Sequence, residues 1–371
     1  MTASKIEWTD FTWNPVRGCS RVSPGCGGAN HEGGCYAEKM AARFSDPGQP
    51  YHGFAKRTKY GGAWTGKLAL IPEMLTLPLH WRKPRRIFVD SMADLFAEGV
   101  EDEWIDRAFA VMALCPQHTF QVLTKRPERM RDYIGSRAGF MALNDVIAEI
   151  LHQRRDVDIR AISFDYPTWP LPNVWLGTSV EDQQRADERI PHLLATPAAV
   201  RFLSCEPLLG PVDLQWAVSR NVLDIGAGFL VRGHFAPGLE TIRRLDLIII
   251  GGESGPRSRP CWTPDIRSLV RQCQRAGVAV FVKQLGANVR DRNDAGFEGC
   301  EPHEWPDMDP SDIEHDLDGT LDGYQGAPVR VRLRDKKGGT MDEWPADLRV
   351  REMPAATQSA ARVETVEATD A

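Results

Sequence analysis

Short apolar runs, recurring between amphipathic stretches, restrict what this chain can fold into more than any other feature. The runs are Arg86–Asp90, Thr119–Thr124, Asn173–Thr178, Val200–Cys205, Leu245–Ile250 and Ala279–Lys283. Each is brief and rich in Val, Ile, Leu and Phe, as strands buried on both faces are. An earlier strand over Phe11–Val16 brings the expected set to seven. Helical patterns fill the gaps, clearest at Glu103–Leu114, Gln183–Leu194 and Pro264–Ala276, the last stopped by Gly277. Regular alternation of this kind predicts an α/β fold with a parallel sheet.

The residues that follow the runs favour a partial or complete (β/α) barrel over a doubly wound open sheet. Asp90-Ser91, Lys125-Arg126, Ser179 with Glu181, Glu206, Glu253-Ser254 and Gln284 all stand at or just beyond strand ends. A barrel gathers such ends on one rim, where active sites are built; an open sheet spreads them along an edge. The expected layout is a barrel-like domain over 1–286 with an N-terminal cysteine loop and insertions near 135–172 and 211–244. A small C-terminal appendage over 287–353 and a disordered tail over 354–371 complete it. The first insertion holds a helix over Leu143–Arg154, and Val329–Leu333 alternates as an edge strand does.

The net charge of −6 over 371 residues argues against a protein that binds nucleic acid through its overall charge. Two local basic clusters, Lys56, Arg57, Lys59 and Arg82, Lys83, Arg85, Arg86, run against that average, and each alone reads as solvated surface. No apolar run is long enough to span a bilayer, so no membrane partner is expected. The opening MTASKIEWTD lacks the basic and apolar regions of a signal peptide, which predicts a cytoplasmic location. P-loop, nucleophile-elbow, H-E-x-x-H and G-x-G-x-x-G patterns are absent from the sequence.

Eight cysteines in such a chain do not form a disulfide framework. Three of them, Cys19, Cys26 and Cys35, crowd into a Gly-rich loop with the spacing C-x6-C-x8-C. From Tyr36 the pattern turns helical, which puts Cys35 at a helix start, where the dipole favours thiolate. Three thiolates suit an iron–sulfur cluster with one iron left open. They equally suit zinc, with His31 as the fourth ligand. The spacing matches no standard signature of either, and both stay open at this point. Trp8 and Trp13 flank the loop and read as packing residues that close the barrel. Cys115 and Cys273 lie in helical patterns as core fillers, and Cys205 reads as a small buried hydrophobe at a strand end.

Several blocks in one order carry a resemblance. They are Ile6-Glu7-Trp8-Thr9-Asp10, Thr12-Trp13-Asn14-Pro15, Gly18-Cys19, Ser23-Pro24-Gly25-Cys26, Cys35-Tyr36-Ala37-Glu38 and Asp90 to Phe96. Further blocks are Leu123 to Pro127, Trp175 to Glu181, Ser204 to Leu208, Gly251 to Gly255, Val282 to Gly286, Glu343-Trp344-Pro345 and Leu348 to Arg351. The chain resembles the three-cysteine-motif phage and prophage protein family, which is similar to radical S-adenosylmethionine enzymes. Here the residues 27–34 form an insertion between the second and third cysteines.

The resemblance implies an enzyme of radical type with a [4Fe-4S] cluster on Cys19, Cys26 and Cys35. S-adenosylmethionine would be held by rim residues drawn from Asp90, Ser91, Lys125, Glu181, Glu206, Gly251, Gly252, Glu253 and Ser254. It further implies a nucleic acid or nucleotide substrate and a phage-encoded partner protein. The rival is a zinc-binding, non-catalytic phage accessory or nucleic-acid-binding protein.

Overall fold

The computed structural model describes residues 4, 6–28, 33–136, 141–153, 169–214, 230–232, 242–292 and 328–354. Its centre is one parallel sheet of β1 (Phe11–Trp13), β2 (Arg86–Val89), β3 (Thr119–Thr124), β4 (Val174–Ser179), β5 (Val200–Cys205), β6 (Leu247–Gly251) and β7 (Ala279–Gln284). Spatial order follows chain order from β1 to β7. The sheet is therefore singly wound and has no point at which strand order reverses. It curls into a half-barrel, the fold class that the alternation predicts.

Helices α1 (Tyr36–Arg43), α2 (Asp102–Ala113), α3 (Pro127–Ser136), α4 (Met141–Gln153), α5 (Gln183–Ala195) and α6 (Thr263–Ala276) accompany the sheet. Local chemistry fixes their ends. Asp182 caps α5 by accepting from the Arg185 amide at 2.9 Å. Gly277 closes α6 in the left-handed region, φ 66°.

Strand alternation divides the apolar residues into two cores. Ile87, Val89, Phe120, Val122, Leu176, Leu203, Ile248, Ile250, Val280 and Val282 face the helices in the larger one. The concave face carries Trp175, Val200, Phe202, Leu247, Ile249 and Phe281, with Trp8 packed among them. Trp8 stands 4.7 Å from the Phe88 ring centroid, and its carbonyl accepts from Gln121 Nε2 at 3.4 Å. It thus fills the barrel interior, while Trp13 lies in the helix-side core.

The first strand is shorter than the expected Phe11–Val16. Pairing with β2 ends at Trp13, because Pro15 offers no N–H and the chain turns there. Val16–Arg17 pairs instead with Ala69–Leu70, antiparallel and outside the sheet. β6 likewise begins at Leu247 rather than Leu245, since the Asp246 carboxylate caps the Arg201 amide at 2.8 Å. Cys115, Cys205 and Cys273 are all buried in the helix-side core.

The C-terminal region belongs to the same body. Pro328–Val331 pairs antiparallel with Val289–Arg292, and Trp344 and Leu348 are fully buried in the main core. Residues 350–352 then run antiparallel along β7, with Val282 donating to the Val350 carbonyl and Glu352 to the Val280 carbonyl, each at 2.9 Å. This segment covers an edge that would otherwise be free to pair with another chain. The expected tail beyond 354, the loop between 154 and 168, most of the second insertion and the acidic stretch 293–327 lie outside the described residues. Among the described residues, no helix is long and apolar enough to cross a membrane.

Candidate functional site: a cysteine loop tied to the barrel rim

The cysteine loop lies across the C-terminal ends of the strands, and side chains from at least three of those ends hold it there. After β3, Arg126 donates from Nη2 to Ser20 Oγ at 2.6 Å and from Nη1 to Asp94 Oδ2 at 3.0 Å. Beyond β4, Glu181 accepts from Ser23 Oγ at 2.9 Å. The loop after β6 brings Glu253, which accepts from the Gly34 amide at 2.7 Å, and Arg259, which donates to the Pro24 carbonyl at 2.7 Å. Cys26 and Cys35 are joined through the Cys35 amide and the Cys26 carbonyl at 3.3 Å.

Two glycines make this docking possible. A Cβ at Gly25 would lie 2.3 Å from Glu181 Oε1, and one at Gly33 would lie 2.0 Å from Glu253 Oε2. Gly33 also has φ 58°, where side chains other than Asn and Asp are strained.

Two acids on the rim, Glu181 and Glu253, are held ionised despite burial. Glu181 is inaccessible to solvent, and desolvation pushes its pKa up. Lys125 and Arg189 outweigh that push and leave the carboxyl below its ordinary value. Lys125 Nζ contacts Oε1, and Arg189 Nη1 lies 3.0 Å from Oε2. For Glu253, burial is again opposed, here by Arg259 and by the Arg259 and Gly34 amides, and the net shift is downward. Arg259 grips that carboxylate with two nitrogens, Nε at 3.0 Å and Nη2 at 3.1 Å.

Two of the loop thiols, Cys19 and Cys35, shift in the opposite direction. Burial pushes Cys19 up to about 12, with Asp94 and Cys35 adding to the rise and Arg126 opposing it. Cys35 caps α1, and burial raises its thiol too, against the Ala37 and Glu38 amides. Charge on Cys35 would raise the Cys19 thiol further, and charge on Cys26 would raise that of Cys35. Without a metal the Cys19 and Cys35 thiols are protonated, and any metal bound there displaces protons. Among the described residues, no three His, Cys, Asp or Glu side chains stand close enough to hold a single metal ion. His31 lies outside the described residues.

The other rim residues serve different partners. Asp90 follows β2 at φ 53° and accepts from the Val16 amide at 3.2 Å, with its second oxygen buried and unbonded. Burial raises its pKa well above the ordinary carboxyl value, with a further push from Asp94. Ser91 donates to Asn14 Oδ1 at 3.1 Å. Glu206 pairs with Lys283 at 3.1 Å. A Cβ at Gly251 would lie 2.3 Å from Glu206 Oε1, and one at Gly252 would lie 2.2 Å from the Leu285 carbonyl. Both glycines thus admit protein atoms at close range. Ser254 is half-buried. Lys125, Glu181 and Glu253 converge on the loop, whereas Asp90 with Ser91 and Glu206 with Lys283 form separate groups.

Sequence reading missed Arg189, Arg259, Ser20 and Ser23. Arg189 sits inside α5 among polar neighbours, and Arg259 lies in an irregular loop; neither position carries a pattern that marks it.

Fold and site together define a half-barrel (β/α) protein with a cysteine-bearing loop fastened over its C-terminal rim. The model of the family described as "Protein of unknown function (DUF5131)" matches residues 3–346, and the chain belongs to that family. No curated protein and no solved structure matches it.

Proposed function

We propose that this chain is an iron–sulfur, S-adenosylmethionine-dependent enzyme of radical type. Cys19, Cys26 and Cys35 would hold a [4Fe-4S] cluster at the barrel mouth. The observation that carries the reading is the tethering of the three-thiol loop to the strand ends by Arg126, Glu181, Glu253 and Arg259. A barrel delivers its reactive groups to that rim.

Three thiols on one loop are the donor set that a cluster with an open iron needs. A [4Fe-4S] cluster bound by three thiolates leaves one iron open, and Cys19, Cys26 and Cys35 are the three cysteines that this loop carries. When bound, it would supply an open iron for the amino and carboxylate groups of S-adenosylmethionine and one electron for cleavage of the sulfonium.

The chain's own residues have definable tasks. Lys125 and Arg189 keep Glu181 ionised, so that it orients Ser23 three residues before Cys26. Arg259 fixes Glu253 and the Pro24 carbonyl together, which sets the path of the loop on both sides of Cys26. The Ala37 and Glu38 amides at the start of α1 favour a thiolate at Cys35. Lys283 with Glu206 and the half-buried Ser254 remain on the rim as polar groups for the cofactor.

The test is the variant with Cys19, Cys26 and Cys35 all changed to Ala. A catalytic cluster is needed for chemistry and not for the core, which includes none of the three cysteines. Cooperative unfolding close to that of the wild type, with loss of iron and of S-adenosylmethionine binding by calorimetry, is the expected result. Collapse of the whole transition would indicate a structural zinc protein instead.

A further inference from the structure

We propose that the cleft beside the cysteine loop binds a single-stranded nucleic acid, with an unpaired base inside the cleft and the phosphates on the hairpin that walls it. The hairpin consists of Ala55–Thr58 and Gly61–Trp64 and packs on α1. The cleft has a volume of about 610 Å³ and is lined by Ser20 and Arg21 of the cysteine loop, by Lys59, Tyr60 and Trp64 of the hairpin, and by Glu38. That volume falls within the range of sites for small organic groups. Ser20 immediately follows Cys19, so the cleft opens beside the candidate metal site.

Charge selects the class of ligand. Between Asp46 and Glu73 the chain has no Asp or Glu, yet it carries Lys56, Arg57, Lys59 and Lys67, in a protein of net charge −6. The one acid lining the cleft, Glu38, is neutralised by Arg21 at 2.5 Å and accepts from the Trp64 amide at 3.0 Å. Arg57 is matched by Asp46 at 2.6 Å. Lys56 and Lys59 are exposed and have no ion pair among the described residues. Arg257 adds a positive charge from the far side, donating to the Tyr60 carbonyl at 2.7 Å.

Aromatic rings select the strand over the duplex. Tyr60 and Trp64 are half-exposed in the cleft, and Lys59 Nζ and the Arg257 guanidinium stand 4.8 Å and 5.5 Å from the Tyr60 centroid. Rings interleaved with cations provide stacking for an unpaired base and charge for its phosphates. A duplex hides its base faces and would use the charges alone. That the bound strand is the enzyme's substrate rests on the function proposed above; the binding itself needs no cofactor.

The test is fluorescence anisotropy of the full chain with labelled 15-nucleotide RNA and DNA strands and the matching duplexes, without added iron or S-adenosylmethionine. A failure to load a cluster leaves this test intact, and a failure to bind strands leaves the cofactor reading intact. Single strands are expected to bind more tightly than duplex. K56A/K59A should weaken them and reduce the slope of log affinity against log salt by about 1.4, two charges at roughly 0.7 each. Y60A should cost roughly 5- to 150-fold, and Y60F should restore binding, because stacking needs only the ring. R82A/K83A removes the same charge from exposed positions just before β2, at the opposite end of the strands, and should change little. Equal binding of duplex, indifference to Y60A, or an equal loss in R82A/K83A would overturn the proposal. A preference between RNA and DNA identifies the sugar of the natural strand.

Discussion

Replacing Glu181 by Gln isolates the electrostatic part of the loop's attachment. The substitution keeps the volume and leaves an oxygen for Ser23, but it removes the charge that Lys125 and Arg189 share. Arg189 is 7% exposed and cannot reach water without moving α5, although it keeps its bond to the Ser179 carbonyl at 2.9 Å. Lys125 is 21% exposed and can swing outward, so its loss counts for less. Stranding one buried cation costs about 3–5 kcal/mol. At roughly 2 °C per kcal/mol for a chain of this size, the midpoint of thermal unfolding should fall by roughly 6–10 °C. Glu206→Gln is the comparison: its pair with Lys283 is 15% and 20% exposed, and solvent screening reduces the expected cost to about 1 kcal/mol. Calorimetric unfolding of both variants, with limited proteolysis across residues 20–34, measures the difference. An E181Q protein within about 1 kcal/mol of the wild type, with the loop equally protected, would refute the argument that this carboxylate anchors it.

Gly25→Ala should cost about 1–3 kcal/mol and loosen the loop, because the added Cβ collides with the buried Glu181. Gly135→Ala, in α3 with open space around it, should be neutral or stabilising by up to about 1 kcal/mol in the same assay. Asp90→Asn should stabilise the protein at neutral pH, since it replaces a carboxyl whose pKa burial raises and Asn tolerates φ 53°. The folded state binds the extra proton, so wild-type stability falls as pH rises above the ordinary carboxyl value of about 3.9. The advantage of D90N should therefore vanish below about pH 4 and grow above it, and a pH-independent difference in urea unfolding would contradict this.

The sheet was legible in the sequence because strands buried on both faces must be apolar throughout, and LIIIG in β6 or VRFLSC in β5 has few other uses. The rim was legible for a related reason: where a parallel strand leaves the core, polar residues begin. The partners on that rim were not. Glu253 and Gly34 are 219 residues apart, and Ser23 and Glu181 are 158 apart. Nothing local to either member announces the bond. A carboxylate after a barrel strand reads as a ligand group, and only the fold shows that Glu181 and Glu253 spend their charge on arginine, lysine and the loop. The break at Pro15 could have been read from its missing N–H. The cover that residues 350–352 lay on β7 could not, since Val350-Arg351-Glu352 has no strand pattern of its own.

The central claim is tested most directly by anaerobic reconstitution of the full chain with iron and sulfide, followed by metal analysis and electron paramagnetic resonance of the reduced protein with and without S-adenosylmethionine. The account expects about four iron and four sulfide per chain and a reduced-cluster signal that changes when S-adenosylmethionine is added. Stoichiometric zinc that iron does not displace, or a cluster whose signal ignores S-adenosylmethionine, would contradict it.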